Sequence, residues 1–119
     1  PSDSALVAMA SILVSEADPD VRRLLIMLME RLGHEAIALD QQVEVPPRAD
    51  LLILEPSTPW CIEQARLARL FFPEMPIVCM GQIPKDTGFL DTGLVALLEK
   101  PFTVGSLELT VTALTPSPV

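Results

Sequence analysis

The sequence predicts an α/β domain, a five-stranded parallel sheet with helices on both faces. Short, almost wholly apolar runs recur at 11–15, 49–55, 77–80 and 94–98, with the two-sided hydrophobicity of parallel strands covered above and below. Segments with apolar residues at three- and four-residue spacing lie between them, so strand and helix signals alternate as they do in βαβ units. The length, 119 residues, suits one domain with a single core.

The first strand is 11–15. A helix start follows: Asp18 can cap free amides, Pro19 fits the first helical position, and Asp20 complements the positive end of the helix dipole. Val21, Leu24, Leu25, Leu28 and Leu32 form the expected inward stripe, with Ile26 and Met27 left as scattered surface, and Gly33 supplies a left-handed stop. A second strand at 35–39 leads into a stretch where Pro46 and Pro47 allow a stub of helix at most. The third strand, 49–55, is stopped by Pro56, and Pro59 precedes a helix over 60–72 with Ile62, Ala65, Leu67, Leu70 and Phe71 as its apolar face. The fourth strand is 77–80 and the fifth 94–98. Between them, 81–93 holds three glycines, a proline and no sustained period, so a full helix is not expected there. The last helix, 104–114, aligns Val104, Leu107, Val111 and Leu114. Residues 1–10 read as a linker or tail, 11–115 as the domain and 116–119 as a C-terminal tail. The second and fourth helices are thus expected to be short or irregular.

Composition narrows the function. The net charge of −8 repels phosphate backbones and anionic lipid, which argues against nucleic acid, and no apolar run reaches the roughly 18 residues of a membrane span. Two cysteines, Cys61 and Cys79, make neither a metal set nor a disulfide framework, so a reducing cytoplasm is expected. A chain opening on Pro1 reads as a piece of something longer.

Three segments carry a family resemblance: ILVSEADPDVRRLLIMLMERLGHE, ADLLILEPSTP and LVALLEKPF. Over 11–115 the chain resembles the receiver domains of two-component response regulators, with Lys100-Pro101-Phe102 the most specific piece. That resemblance implies a flavodoxin-like (CheY-like) sheet of order 2-1-3-4-5. It also implies a phosphorylation site: an acidic pair holding Mg²⁺ after strand one, an aspartate acceptor after strand three, a Thr or Ser after strand four, and a lysine. Such a set suits a dianionic phosphoryl group, which needs a hard cation, a charged amine and a hydroxyl donor around one carboxylate.

Laid on that pattern, this chain departs from it four times. The acidic pair falls on Glu16 and Ala17, the acceptor on Glu55, the Thr or Ser on Gly81, and the switch aromatic on Leu97; Lys100 is retained. The added methylene of Glu55 moves its oxygens by roughly 1.5 Å, enough to disturb an in-line geometry. The expectation is a pseudo-receiver that is not an enzyme, binds no Mg²⁺, and serves as an interaction and regulatory domain of a larger signalling protein. Glu55 beside Lys100 acts there as a permanent negative charge, or the two simply satisfy each other. Candidate partner or ligand contacts are Ile37 and Leu39 on the second strand and Ile83, Phe89 and Leu90 in 81–93.

Degenerate receivers of this kind close sensory histidine kinases, the cyanobacterial circadian input kinases among them. The likeness implies a protein partner, either the kinase's own catalytic domains or a clock protein, with a quinone as a further ligand and the isolated domain monomeric. The alternatives are a receiver that still accepts phosphate on Glu55 and a small-ligand redox sensor. His34 reads as polar surface, Cys61 and Cys79 as apolar filler, and Trp60 either as a cover for the altered site or as a helix cap.

Overall fold

The computed structural model describes residues 10–40, 45–81 and 95–115. Five strands, β1 (Ser11–Ser15), β2 (Glu35–Ala38), β3 (Leu51–Leu54), β4 (Ile77–Met80) and β5 (Val95–Leu98), form one sheet in the order β2-β1-β3-β4-β5. Every pairing is parallel; Leu13 lies between Ile37 and Leu52, and Cys79 between Leu54 and Leu97. Three helices are described: α1 (Pro19–Arg31), α2 (Pro59–Phe71) and α3 (Val104–Leu114). The order and direction are those of the flavodoxin-like, CheY-like fold. No described helix is long and apolar enough to cross a membrane.

The period of two along each strand divides the core into two layers. Ile12, Val14, Leu51, Ile53, Val78 and Met80 face α1 and α3, where Leu25, Leu28, Met29, Leu107 and Val111 meet them. Leu13, Leu52, Leu54, Ile77 and Cys79 face α2 through Cys61, Ala65 and Ala68. The central strands are apolar throughout because both of their sides are covered, whereas edge strand β2 is only partly buried.

The caps formed largely as the sequence requires. Asp18 accepts the Asp20 and Val21 amides, Gly33 takes φ +91°, and Thr103 with Ser106 closes a reciprocal capping box. Helix faces were less legible. On α1 the buried residues are Leu25, Leu28 and Met29; Val21 and Leu24 point to water with Met27, and Ile26 packs on the core. On α2 the buried face is Cys61, Gln64, Ala65, Ala68 and Arg69, while Leu70 and Phe71 are exposed. Val104 is exposed on α3. In each case an apolar face wider than the available sheet surface left a choice that packing decided.

Two further corrections bear on function. His34 is buried, because the turn after α1 tucks it against the entry to the sheet. Leu39 is buried at 1 % exposure, which removes it as a partner contact, and Ile37 is partly buried against the core. No helix occupies residues 45–50, in keeping with the two prolines there. Ile83, Phe89 and Leu90, and the reading of 81–93 beyond Gly81, lie outside the described residues, as do residues 1–9 and 116–119.

Candidate functional site at the carboxyl edge of the sheet

Parallel strands deliver the residues that follow them to one edge. Glu16 leaves β1, Glu55 leaves β3, Gly81 leaves β4, and Lys100 stands two residues beyond β5. The ladder continues one step past the strands, since the Glu55 N–H donates to the Ser15 carbonyl at 2.9 Å. Separations of tens of residues in sequence thereby become contacts.

Lys100 Nζ donates to Glu55 Oε2 at 2.6 Å, and the Ser57 N–H donates to Glu55 Oε1 at 3.0 Å. Both carboxylate oxygens therefore have donors. The pair is lopsided: the Glu55 side chain is 8 % exposed and that of Lys100 56 %. The hydrogen bond to Glu55 raises the Lys100 pKa, against a smaller opposing effect of burial. Lys100 is thus a fixed cation at neutral pH.

Glu16 is buried beside this pair. Its Oε2 accepts the Asp18 N–H at 3.3 Å, and its backbone carbonyl accepts Arg22 Nη1 at 3.0 Å. Burial raises its pKa first and the Glu55 charge adds to this; the Asp18 amide and Lys100 oppose. Ala17, the other half of the expected acidic pair, packs against the α2-side core and brings no oxygen donor on its side chain.

Gly81 has a backbone reason to be glycine. It holds φ +95° while its N–H donates to the Leu98 carbonyl at 2.9 Å. A Cβ there would meet Lys100 Cε at 4.0 Å, an ordinary contact, so a side chain is opposed by the backbone conformation and has space. Leu97, at the expected switch position, is half exposed on β5. Lys100 and Pro101 are joined by a cis peptide.

Sequence reading missed a buried polar link under this edge. Ser15 Oγ donates to Gln64 Oε1 at 2.6 Å, and Gln64 Nε2 donates to the Asp40 carbonyl. Gln64 thereby ties α2 to the ends of both β1 and β2. The available signal was a polar residue closing an apolar strand opposite an amide one position before Ala65 on a helix face. Trp60 packs partly buried on the α2-side core, and the helix N-cap falls to Thr58. Cys61 and Cys79 are buried; burial, with the Glu55 charge, pushes the Cys79 thiol up to about 11.

No family model and no curated protein matches the chain. Solved structures do. Chemotaxis protein CheY4 of Vibrio cholerae is similar at TM-score 0.74 and 20% identity, over 90% of this chain and 99% of that one. NtrX of Brucella abortus is similar at TM-score 0.71 and 22% identity over 87% of this chain, which spans only 27% of NtrX. The receiver domain of the Pseudomonas aeruginosa sensor histidine kinase PA1611, described with magnesium in its active-site cleft, is similar at 0.66 and 17% identity, over 90% and 98%. Likenesses at these identities show the fold.

Proposed function

We propose that this chain is a pseudo-receiver: a receiver-fold regulatory domain that works by protein interaction without accepting phosphate. The observation that carries the reading is the 2.6 Å contact between Glu55 and Lys100, the acceptor-equivalent position and the retained lysine. A carboxylate that already holds the lysine and a backbone amide presents charge without needing a phosphoryl group to do so. The donors around it fit Mg²⁺ poorly. A hard divalent cation wants several oxygens, and here Glu55 is occupied by donors, Ala17 offers none on its side chain, and burial opposes the charge of Glu16.

The interaction surface we assign is the β2 edge. β2 pairs with β1 on one side, and residues 45–50 bring no helix across it. Ile37 keeps part of its side chain accessible there, and an extended segment can add to such an edge through backbone hydrogen bonds. In a sensory histidine kinase, circadian input kinases included, the partner is the kinase's own catalytic domains or a clock protein.

Incubation with acetyl phosphate and Mg²⁺, followed by intact-mass measurement, tests the central claim. No mass gain is expected. A gain of one phosphoryl group located to Glu55 would overturn it in favour of a receiver that still accepts phosphate. The quinone alternative rests on Ile83, Phe89 and Leu90, outside the described residues; shift changes on adding a quinone would support that reading.

A further inference from the structure

At the amino edge of the sheet, opposite Glu55 and Lys100, lies an open groove of about 480 Å³. Arg48 and Asp50, on the segment entering β3, form one wall; Phe71, Phe72, Glu74 and Met75, on the segment from α2 to β4, form the other. Two of the chain's four phenylalanines thus line one concavity, and Phe71 is 51 % exposed.

Both walls are held from behind. Asp50 Oδ2 accepts the Ser11 N–H at 2.8 Å. Arg69 is buried, and its Nη1 donates to the Pro73 and Met75 carbonyls at 2.8 and 2.7 Å, which fixes the turn that carries Glu74. A pre-formed groove loses little freedom on binding, and an exposed aromatic ring beside a guanidinium is a composition found at interface centres.

The remaining charges set the chemistry of the occupant. Arg48 and Glu74 are exposed on opposite walls, and neither makes an ion pair among the described residues. Asp50 already has a donor. The groove therefore offers the aromatic side chains of Phe71 and Phe72 together with one accessible cation and one accessible anion. We infer that it is a docking site for a segment of a protein partner carrying an apolar anchor between an acidic and a basic residue, the acid toward Arg48 and the base toward Glu74. Glu55 takes no part in this site, which lies at the opposite edge of the sheet.

The test is a titration of the ¹⁵N-labelled chain with three capped peptides in which Leu-Phe-Leu is flanked by one Glu and one Lys, by two Glu, or by two Lys. Saturable shifts are expected at the Ala49, Asp50, Phe72 and Met75 amides, with the mixed-charge peptide binding at least about tenfold tighter than the others. In Glu74→Lys, an exposed position whose change leaves the fold intact by its amide spectrum, the two-Glu peptide becomes the tightest. Phe71→Ala weakens all three. The inference is overturned if the mixed-charge peptide gives no saturable shift at millimolar concentration, if the shifts centre on the β2 edge or on Glu55, or if affinity ignores the charge pattern.

Discussion

Removing one or the other partner of the Glu55–Lys100 pair should have unequal costs. Across 2.6 Å the bare Coulomb attraction runs from about 1.6 kcal/mol at a dielectric constant of 80 to about 6 kcal/mol at 20. With the Lys100 side chain 56 % exposed, screening and rotamer entropy reduce the net value to about 1 kcal/mol. Glu55→Gln leaves behind a lysine that water can solvate, so its cost should stay near about 1 kcal/mol. Lys100→Met instead leaves a carboxylate, 8 % exposed, with the Ser57 amide as its one remaining hydrogen-bond donor among the described residues. An uncompensated buried charge should cost more, about 2 to 3 kcal/mol. Urea unfolding followed by circular dichroism reads both values, and equal m-values show that the unfolded reference is unchanged. The reasoning fails if Glu55→Gln is as destabilising as Lys100→Met, because the lopsided exposure would then not govern the pair.

Three other outcomes follow from the same geometry. Burial lowers the His34 pKa below 6.5, so the unfolded chain takes up a proton that the folded chain refuses; stability should fall as pH drops through about 6.5, and His34→Gln should flatten that slope in urea titrations, an unchanged slope counting against it. Gly81→Ser restores a hydroxyl at the edge but forces a side chain onto φ +95°, at a cost of about 1 to 2 kcal/mol in thermal or urea unfolding; a neutral effect would show that the turn relaxes. Gln64→Leu strips the buried Ser15 hydroxyl of its acceptor and should cost about 1 to 3 kcal/mol, part of which the added Ser15→Ala change recovers.

The strands were legible because two-sided burial leaves a local signature: a run such as LLIL is apolar at every position, and no competing pattern shares that length and flanking. The α1 boundaries were equally plain, since Asp18 and Gly33 act within a turn of themselves. The helix faces were not. Val21 and Leu24 are as apolar as Leu25 and Met29, and which pair faced inward depended on how α1 lies across β1 and β2. His34 was misplaced for the same reason. A lone imidazole after a glycine stop looks solvent-bound until the return of the chain to β2 encloses it.

By itself the sequence determined the order of the elements, the parallel sheet, and the identity of the residues that close each strand, because propensity, capping and apolar runs are short-range properties. Only the tertiary structure decided that Glu55 and Lys100, forty-five residues apart, meet at 2.6 Å, that Gln64 clasps Ser15 from another layer, and that Phe71 faces a groove. Those facts depend on strand order and on the angle at which each helix crosses the sheet, and no window of residues contains either.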